Sequence, residues 1–305
     1  MKRKVVQQGP ATLMISLPSK WIKENAVCKG DELDIIEEKG KLVLTVETTE
    51  SSTLKKEFSV KDFGIFNEYF VNYFYQKGYD EIIIRFDDVK YTDIIEKRVK
   101  QLMGFEIVEN KKNVIIIKSL MKIDQQEFDT VLKKLFQITL VIGDKITEAL
   151  EKNITQLLEE VKIDEKENNK YCDLCIRILY KHKYKYPDHG FTYFALLREL
   201  EQIGDLYKYI AFAFQNKVTP DNDVDKDILE LYKKIHAHFR LYYELFYSYT
   251  PEKARIFFDQ KNILLEECEK KIIASSQETI LLQVYFTSLV HAIFDLKGPL
   301  FLMKI

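Results

Sequence analysis

Hydrophobic positions recur with two different periods along the chain. Near the N terminus, Leu13, Ile15 and Leu17 occupy alternate positions, which is typical of a strand with one buried face. Beyond residue 125, apolar residues recur every three or four positions, which is typical of amphipathic helices. The 305 residues include only 10 Gly and 6 Pro, so few positions interrupt these segments. The pattern predicts an α+β N-terminal part followed by an all-α C-terminal part.

Residues 1–48 are predicted to form the first domain. Its order is strand, turn, strand, short helix, strand, turn, strand, with turns at Gly9-Pro10 and Lys39-Gly40. Pro18 is placed in the first turn of the short helix, where its missing N–H costs nothing. A unit of about 45 residues with so few apolar side chains rarely folds alone. We therefore expect a homodimer, in which a second copy completes the core.

A small α+β linker domain is predicted for residues 54–121, after a polar bridge at 48–53. Strands are expected at 56–60, 81–86, 105–108 and 114–118. Helices are expected at about 65–74, followed by Gly78, and at 92–103, followed by Gly104. The aromatic residues of the first helix recur at helical spacing, which favours a core role over a ligand pocket.

Residues 124–305 are predicted to be helical throughout. Six helical segments are expected, at roughly 125–152, 153–181, 189–217, 224–249, 251–274 and 277–303. They form two sets of three, with repeats at about 125–217 and 224–303, and this predicts tandem three-helix bundles. The most apolar stretch, 280–294, contains polar residues and is shorter than the roughly 20 residues of a membrane span, so no span is expected.

Positive charge is concentrated at the N terminus. The whole chain has 46 basic and 48 acidic residues, but residues 1–23 contain no Asp or Glu. Any contact with nucleic acid must therefore come from this segment. Candidate DNA-binding residues on the predicted strands and helix are Arg3, Lys4, Thr12, Ser16, Lys20 and Lys23. The alternative is a solvated basic tail, which charge alone favours.

Two carboxylates lie one helical turn apart in the third predicted helix of the bundle. Glu201 and Asp205 share a helix face, an arrangement that suits a cation. His291 and Asp295 have the same spacing in the last helix and could share a metal ion. The alternatives are a surface ion pair, in which Arg198 neutralises Glu201, and a pair that only stabilises its helix.

Other patterns argue against catalysis and against secretion. Cys172 and Cys175 form a CxxC in mid-helix with no second pair at zinc-finger spacing, so they are interpreted as structural. No Gly-rich phosphate loop, nucleophile elbow or HExxH occurs in the sequence, so no enzyme is expected. Four scattered cysteines, and a basic start in place of a signal peptide, favour a cytoplasmic protein.

Three short motifs resemble a known family of fused regulators. Gly9, Ser16-Leu17-Pro18-Ser19-Lys20-Trp21 and Lys29-Gly30-Asp31-Glu32-Leu33 resemble the swapped-hairpin AbrB/SpoVT family of transcription regulators, in the variant fused to archaeal PhoU-like proteins. The resemblance covers residues 3–47 and implies an interleaved dimer in which basic residues of the first strand and of the helix face DNA. The turn 7–10 departs from it, since many relatives carry Arg there.

The helical part resembles PhoU proteins at Arg198-Glu199-Leu200-Glu201-Gln202-Ile203-Gly204-Asp205, with Gln202 in place of the usual Arg. The resemblance implies a divalent or iron-type metal ion bound by the Glu and the Asp. In the second repeat His291 stands where the family has Glu. The clustered acids of relatives correspond here to Glu165, Glu167 and Asn169 in one half and to Asp259 and Asn262 in the other.

Together these resemblances imply a dimeric DNA-binding transcriptional regulator of phosphate uptake or phosphate-responsive genes. Its partners would be double-stranded DNA, a second copy of the chain and phosphate transporter components. The alternative is a PhoU-like signalling adaptor that binds a phosphate transporter or a sensor kinase without specific DNA recognition.

Overall fold

The chain folds into two compact units, an N-terminal unit, Met1–Thr53, and a C-terminal unit, Leu54–Ile305. A computed structural model describes residues 2–38, 40–46, 53–64, 66–67, 69–121, 125–182, 189–215, 225–271 and 277–304. Strands dominate the first part of the chain and helices dominate from Phe128 onwards. This order confirms the predicted change from an α+β part to a helical part.

The N-terminal unit consists of two antiparallel hairpins and a short helix. Its elements are β1 (Val5–Gln7), β2 (Leu13–Ile15), α1 (Ser19–Glu24), β3 (Leu33–Glu38) and β4 (Lys41–Val46). Strand β1 pairs with β2, and β3 pairs with β4. The order of elements agrees with the order predicted from the alternating pattern.

Helix α1 begins after Pro18 and is followed by a tight turn at residues 28–31. Pro18 lies at the N-cap with extended ψ of 129°, one residue before the first turn in which the sequence placed it. After the helix, Asp31 Oδ2 accepts a hydrogen bond of 2.7 Å from the backbone N–H of Cys28. Gly30 between them has φ of +102°, a conformation that disfavours residues with a side chain.

The C-terminal unit begins with a four-stranded sheet covered by two helices. Its elements are β5 (Lys55–Ser59), α2 (Tyr69–Gln76), β6 (Glu81–Arg85), α3 (Lys90–Val99), β7 (Phe105–Lys111) and β8 (Val114–Ser119). The strand order is β5-β6-β8-β7, with β5 parallel to β6 and the other pairs antiparallel. Ile82, Ile84, Ile115 and Ile117 are fully buried and belong to the same hydrophobic cluster as Val71 and Tyr75 of α2 and Ile95 of α3.

Helix α2 begins four residues later than the apolar spacing suggested. Residues Val60–Phe63 instead form a 3₁₀ turn, because Ser59 and Asp62 cap each other's backbone. Gly64, with φ of +65°, ends this turn. Asn67 Oδ1 then accepts a hydrogen bond of 3.0 Å from the backbone N–H of Tyr69 and starts α2.

Long helices make up the rest of the unit. They are α4 (Phe128–Lys152), α5 (Thr155–Lys181), α6 (Gly190–Gln215), α7 (Lys226–Tyr247), α8 (Pro251–Lys271), α9 (Gln277–Asp295) and α10 (Lys297–Lys304). The predicted segment 277–303 is therefore two helices. Pro299 explains the break, because it has no N–H and its ring clashes with the carbonyl oxygen of Asp295.

The helices pack as two groups that share one core. Helices α4, α5 and α6 contact one another, as do α7, α8 and α9, and the groups meet where α4 packs on α7 and α6 on α9. Buried side chains from α4 to α10 form a single hydrophobic cluster. The strand-rich segment joins this body through α2, which packs on α5.

One stretch of the described residues, Ile280–Lys304, is long and apolar enough by composition to cross a bilayer. It is longer than the 280–294 segment that the sequence singled out. Leu282, Phe286 and Val290 within it are fully buried in the helical core. Ile280, Leu281 and Val284 in the same stretch are 41% to 51% exposed.

Candidate nucleic-acid interface and candidate metal residues

The predicted DNA-binding cations are all exposed in the N-terminal unit. Arg3 and Lys4 lie immediately before β1, and Lys20 and Lys23 lie on α1. The Nζ atom of Lys20 is 3.7 Å from a carboxylate oxygen of Glu24, but its side chain is 87% exposed. An exposed pair of this kind contributes little, so Lys20 stays accessible to an anion.

The two candidate hydroxyls lie at opposite ends of one strand. Thr12 immediately precedes β2 and Ser16 immediately follows it. The Thr12 carbonyl oxygen accepts a hydrogen bond of 2.9 Å from the backbone N–H of Gln8, which closes the turn of the first hairpin. The Thr12 and Ser16 side chains are exposed, as are those of Gln7 and Gln8.

No described side chain of the N-terminal unit is buried. In the first hairpin Val6 pairs with Met14 and Val5 pairs with Ile15, so both faces of this hairpin carry apolar residues. These four side chains are 45% to 60% exposed. A two-stranded hairpin in water is marginally stable at best, and exposed apolar faces are typical of interaction surfaces.

The second hairpin presents an apolar face as well. Its register pairs Ile35 with Leu44 and Leu33 with Val46, which puts these four side chains on one face together with Leu42. Ile35 is 62% and Leu42 is 67% exposed. Glu37 lies opposite Leu42 on this face, and Val43 lies on the other face with Asp34 and Lys41, so the first face is mainly apolar and the second is mixed.

Glu201, the first candidate metal ligand, is paired with an arginine. Its Oε2 accepts a hydrogen bond from Arg198 Nη1, one turn earlier on α6. Burial raises the pKa of Glu201, and Arg198 opposes this rise while nearby Asp173 adds to it. The ion pair is the alternative that the sequence left open for this residue.

Asp205, the second candidate, is paired with a lysine. Lys208 Nζ lies 2.5 Å from Asp205 Oδ1 and 2.9 Å from Oε1 of Glu165, which is 5% exposed on α5. Burial lowers the pKa of Lys208, but its hydrogen bonds to Asp205 and Glu165 outweigh burial and raise the pKa to about 12. Lys208 is therefore charged at neutral pH.

The candidates on α9 are not joined to the other two in a cluster. Asp295 Oδ1 lies 3.1 Å from Lys297 Nζ, and His291 is exposed. Nowhere among the described residues do three His, Cys, Asp or Glu side chains come together as a metal site would require. Each of the three candidate carboxylates binds a lysine or an arginine.

The other acidic residues that the sequence analysis compared with clustered acids are also paired with neighbouring side chains. Glu167 binds Lys170 at 2.6 Å, and Glu165 Oε1 also accepts a hydrogen bond of 2.8 Å from Asn169 Nδ2. In the other half, Asp259 binds Arg255 at 3.2 Å. These contacts give the charged helices internal ion pairs.

A polar chain that sequence reasoning missed runs through the middle of the bundle. The Tyr207 hydroxyl lies 2.8 Å from His236 Nδ1, and His236 Nε2 lies 2.9 Å from Asp144 Oδ1. Arg240 Nη2 also binds Asp144, at 2.6 Å. The hydrogen bond from His236, followed by that from Arg240, holds the pKa of Asp144 at about 2. His236 and Arg240 at i and i+4 were the available signal, but their partner is 92 residues away from His236.

The row of polar side chains from Tyr207 to Arg240 reaches the surface at a groove of about 580 Å³ over α4. Asp144 and Arg240 border the groove, and Tyr171 and Tyr243 line it from α5 and α7. Tyr207 and His236 are buried beneath it.

The CxxC residues lie inside the core. Cys172 is 1% exposed and Cys175 is fully buried on α5. Burial raises the pKa of both thiols. Protonated, enclosed thiols agree with the structural interpretation and are poor nucleophiles or metal ligands.

No family model, curated protein or solved structure matches the chain. The functional conclusion therefore depends on the residues and contacts described above.

Proposed function

We propose that the protein is a dimeric DNA-binding transcriptional regulator. The N-terminal unit of one chain and that of a second copy form the DNA-binding body, and the helical part carries the signal. The observation that supports this proposal is the combination, in one small unit, of exposed apolar faces with an acid-free basic segment.

We infer dimerisation because no described side chain of the N-terminal unit is buried. Burial of exposed apolar surface contributes roughly 25 cal/mol per Å². Val5, Ile15, Ile35 and Leu42 are each more than half exposed and would supply this surface. A second copy with the same faces completes both hairpins, as in the swapped-hairpin arrangement that the resemblance implies.

DNA binding follows from the charge and accessibility of the same unit. Arg3, Lys4, Lys20 and Lys23 would contact phosphates, and a dimer presents each of them twice. Thr12 and Ser16, exposed at the two ends of β2, would add hydrogen bonds to phosphate or base edges. The turn at 7–10 has no arginine, so contacts with the base edges would have to come from other residues of the unit.

The helical part is proposed to be a tandem pair of PhoU-like three-helix bundles, α4–α6 and α7–α9. The regulated genes would be those of phosphate uptake, as the resemblance implies, and the protein would act in the cytoplasm. Phosphate transporter components are the partners proposed for this part.

The test measures the affinity of two quadruple variants for duplex DNA over a range of salt concentrations. The first replaces Arg3, Lys4, Lys20 and Lys23 with Ala. The matched control replaces four exposed lysines of the C-terminal unit, Lys133, Lys162, Lys166 and Lys226, with Ala. Both variants lose the same charge, and the duplexes come from the neighbourhood of the protein's own gene.

The unaltered protein and the control should bind DNA with an affinity that falls steeply with salt. The first variant should remain dimeric, lose most of its affinity and show a much smaller salt slope. Equal binding by both variants would refute the assigned DNA face. Absence of DNA binding by the unaltered protein at low salt would instead favour a signalling adaptor that uses the N-terminal unit only to dimerise.

A further inference from the structure

Lys208 lies between two carboxylates that belong to different helices. Its Nζ atom is 2.9 Å from Oε1 of Glu165 on α5 and 2.5 Å from Oδ1 of Asp205 on α6. Glu165 is 5% exposed, and the Lys208 side chain is 22% exposed. Two carboxylates drawn together in a partly buried position repel each other unless a cation lies between them.

A third polar group completes this position. Asn169 donates its Nδ2 hydrogen to the same Glu165 oxygen, at 2.8 Å. The other end of that amide, Oδ1, is buried and has no hydrogen-bond partner among the described residues. Glu165 and Asp205 thus bring two carboxylate oxygens close to the single ammonium group of Lys208, and the Asn169 amide lies against Glu165.

The remaining carboxylates that the sequence assigned to metal also bind cations of their own chain. Arg198 binds Glu201, and Lys297 binds Asp295 at 3.1 Å. Lys208 differs from these two, because it joins carboxylates of two helices and one of them is buried. A divalent ion placed between Glu165 and Asp205 would have to displace it.

We propose that Lys208 is a built-in counter-ion that takes the place of a metal ion between α5 and α6. The protein then has no divalent-cation requirement at this position. Removal of the ammonium group leaves the two carboxylates of Glu165 and Asp205 as a site for a divalent cation, and a flip of the Asn169 amide would turn its unpartnered oxygen towards that cation. Oxygen ligands of this kind suit Mg²⁺ and Mn²⁺.

The test is a gain of Mn²⁺ binding in the full-length protein. Lys208→Gln removes the charge and keeps a polar side chain of similar length. Lys152→Gln is the matched control, because Lys152 pairs with one exposed carboxylate, that of Glu148, on its own helix. Mn²⁺ binding is measured by electron paramagnetic resonance of free Mn²⁺ and by the shift of Tm with added MnCl₂.

Lys208→Gln should bind one Mn²⁺ per chain at least tenfold more tightly than the unaltered protein or Lys152→Gln. Its Tm should rise with Mn²⁺, whereas the other two should be insensitive. Adding Glu165→Gln or Asp205→Asn to Lys208→Gln should abolish the gain.

Two results would overturn the proposal. One is stoichiometric Mn²⁺ on the unaltered protein that disappears in Asp205→Asn, a measurement that does not depend on the folding of any Lys208 variant. The other is Mn²⁺ binding by folded Lys208→Gln no tighter than that of Lys152→Gln. If Lys208→Gln is unfolded without metal, the proposal requires that Mn²⁺ restores its helical circular dichroism, and failure to do so counts against it.

Discussion

Arg177 of α5 and Asp80, just before β6, form an ion pair that joins the helical body to the strand-rich segment. Arg177 Nη2 lies 2.6 Å from Asp80 Oδ1, and the arginine side chain is 1% exposed. Its Nη1 also donates to the carbonyl oxygens of Tyr75 and Tyr79, at 2.8 and 2.7 Å. The guanidinium group thus binds one acceptor in the last turn of α2 and two in the segment that leads to β6.

Arg177→Met should lower the free energy of unfolding by about 2–4 kcal/mol, because two carbonyl oxygens lose their donor and the Asp80 carboxylate keeps Lys181, at 2.6 Å, as its only cation among the described residues. Arg177→Lys should restore little of this loss, since an ammonium group cannot reproduce the planar fork. The measurement is urea unfolding followed by far-ultraviolet circular dichroism.

The control for this prediction is Arg255→Met. Arg255 pairs with Asp259 on the surface of α8, where both side chains are at least 60% exposed, so the variant should cost at most about 1 kcal/mol. Similar losses for the two variants would show that the Arg177 contacts do not hold the segments together.

Gly143 allows His236 of α7 to pack directly on the backbone of α4. A Cβ atom built on Gly143 would lie 2.2 Å from two atoms of the His236 ring. Gly143→Ala gains about 1 kcal/mol of helix propensity but must push the ring away, which typically costs about 1–3 kcal/mol and disturbs the bonds to Asp144 and Tyr207. We expect net destabilisation in thermal unfolding.

Gly190→Ala is the matched control for this substitution. Gly190 begins α6, and a Cβ atom there would meet nothing within 4 Å. This variant should be as stable as the unaltered protein or slightly more so. A Gly143→Ala protein that is equally stable would mean that the α4–α7 contact adapts without cost.

Local sequence patterns predicted the helices and strands, whereas the partners of the candidate site residues depend on contacts between residues far apart in the sequence. The periodicity placed α4 to α8 close to their observed bounds, because apolar spacing is a property of neighbouring residues. The pattern predicts one helix at 277–303, because apolar spacing continues across Pro299, whereas the structure has two helices there.

The pairing of the metal candidates was only partly predictable. Arg198 lies three residues from Glu201, and Lys208 lies three residues from Asp205, so both ion pairs lay within reach of helix-spacing arguments. The contact of Lys208 with Glu165 joins residues 43 apart, and no local pattern indicates it. The fold was needed to show that this lysine lies between two carboxylates.

Ile35→Asp should separate the proposed dimer. Ile35 is 62% exposed on the apolar face of the β3–β4 hairpin, and a carboxylate buried there by a second copy would be strongly unfavourable. Size-exclusion chromatography with light scattering should report one chain instead of two. Duplex-DNA affinity should fall with the dimer, because each particle then carries half of the cations.

Leu302→Asp is the control, since Leu302 is 68% exposed on α10 of the C-terminal unit and the substitution adds the same charge. It should leave the dimer and the DNA affinity unchanged. If the dimer persists in Ile35→Asp but dissociates in Leu302→Asp, the proposal is wrong and the two copies contact each other through the helical part.

His238 should make the stability of the protein depend on pH below neutrality. It is fully buried on α7, and its Nε2 donates to the Phe257 carbonyl oxygen at 3.0 Å. Burial lowers the pKa of His238 to about 4, against an ordinary value of 6.5, and the bond to Phe257 only partly opposes this. Between these values the unfolded chain binds a proton at this residue and the folded chain does not.

The free energy of unfolding should therefore be unaffected by His238 above about pH 6.5 and should fall as the pH drops towards 4, by about 3 kcal/mol in all. His238→Gln keeps an N–H donor for the Phe257 carbonyl but does not titrate. Because other groups titrate equally in both proteins, the difference between them isolates this residue. At pH 7.5 the variant is expected to be the less stable of the two, through imperfect packing. At pH 4.5 the difference in free energy of unfolding should have shifted in favour of the variant by about 2–3 kcal/mol. Parallel pH profiles of the two proteins would show that the imidazole is not held neutral in the folded state.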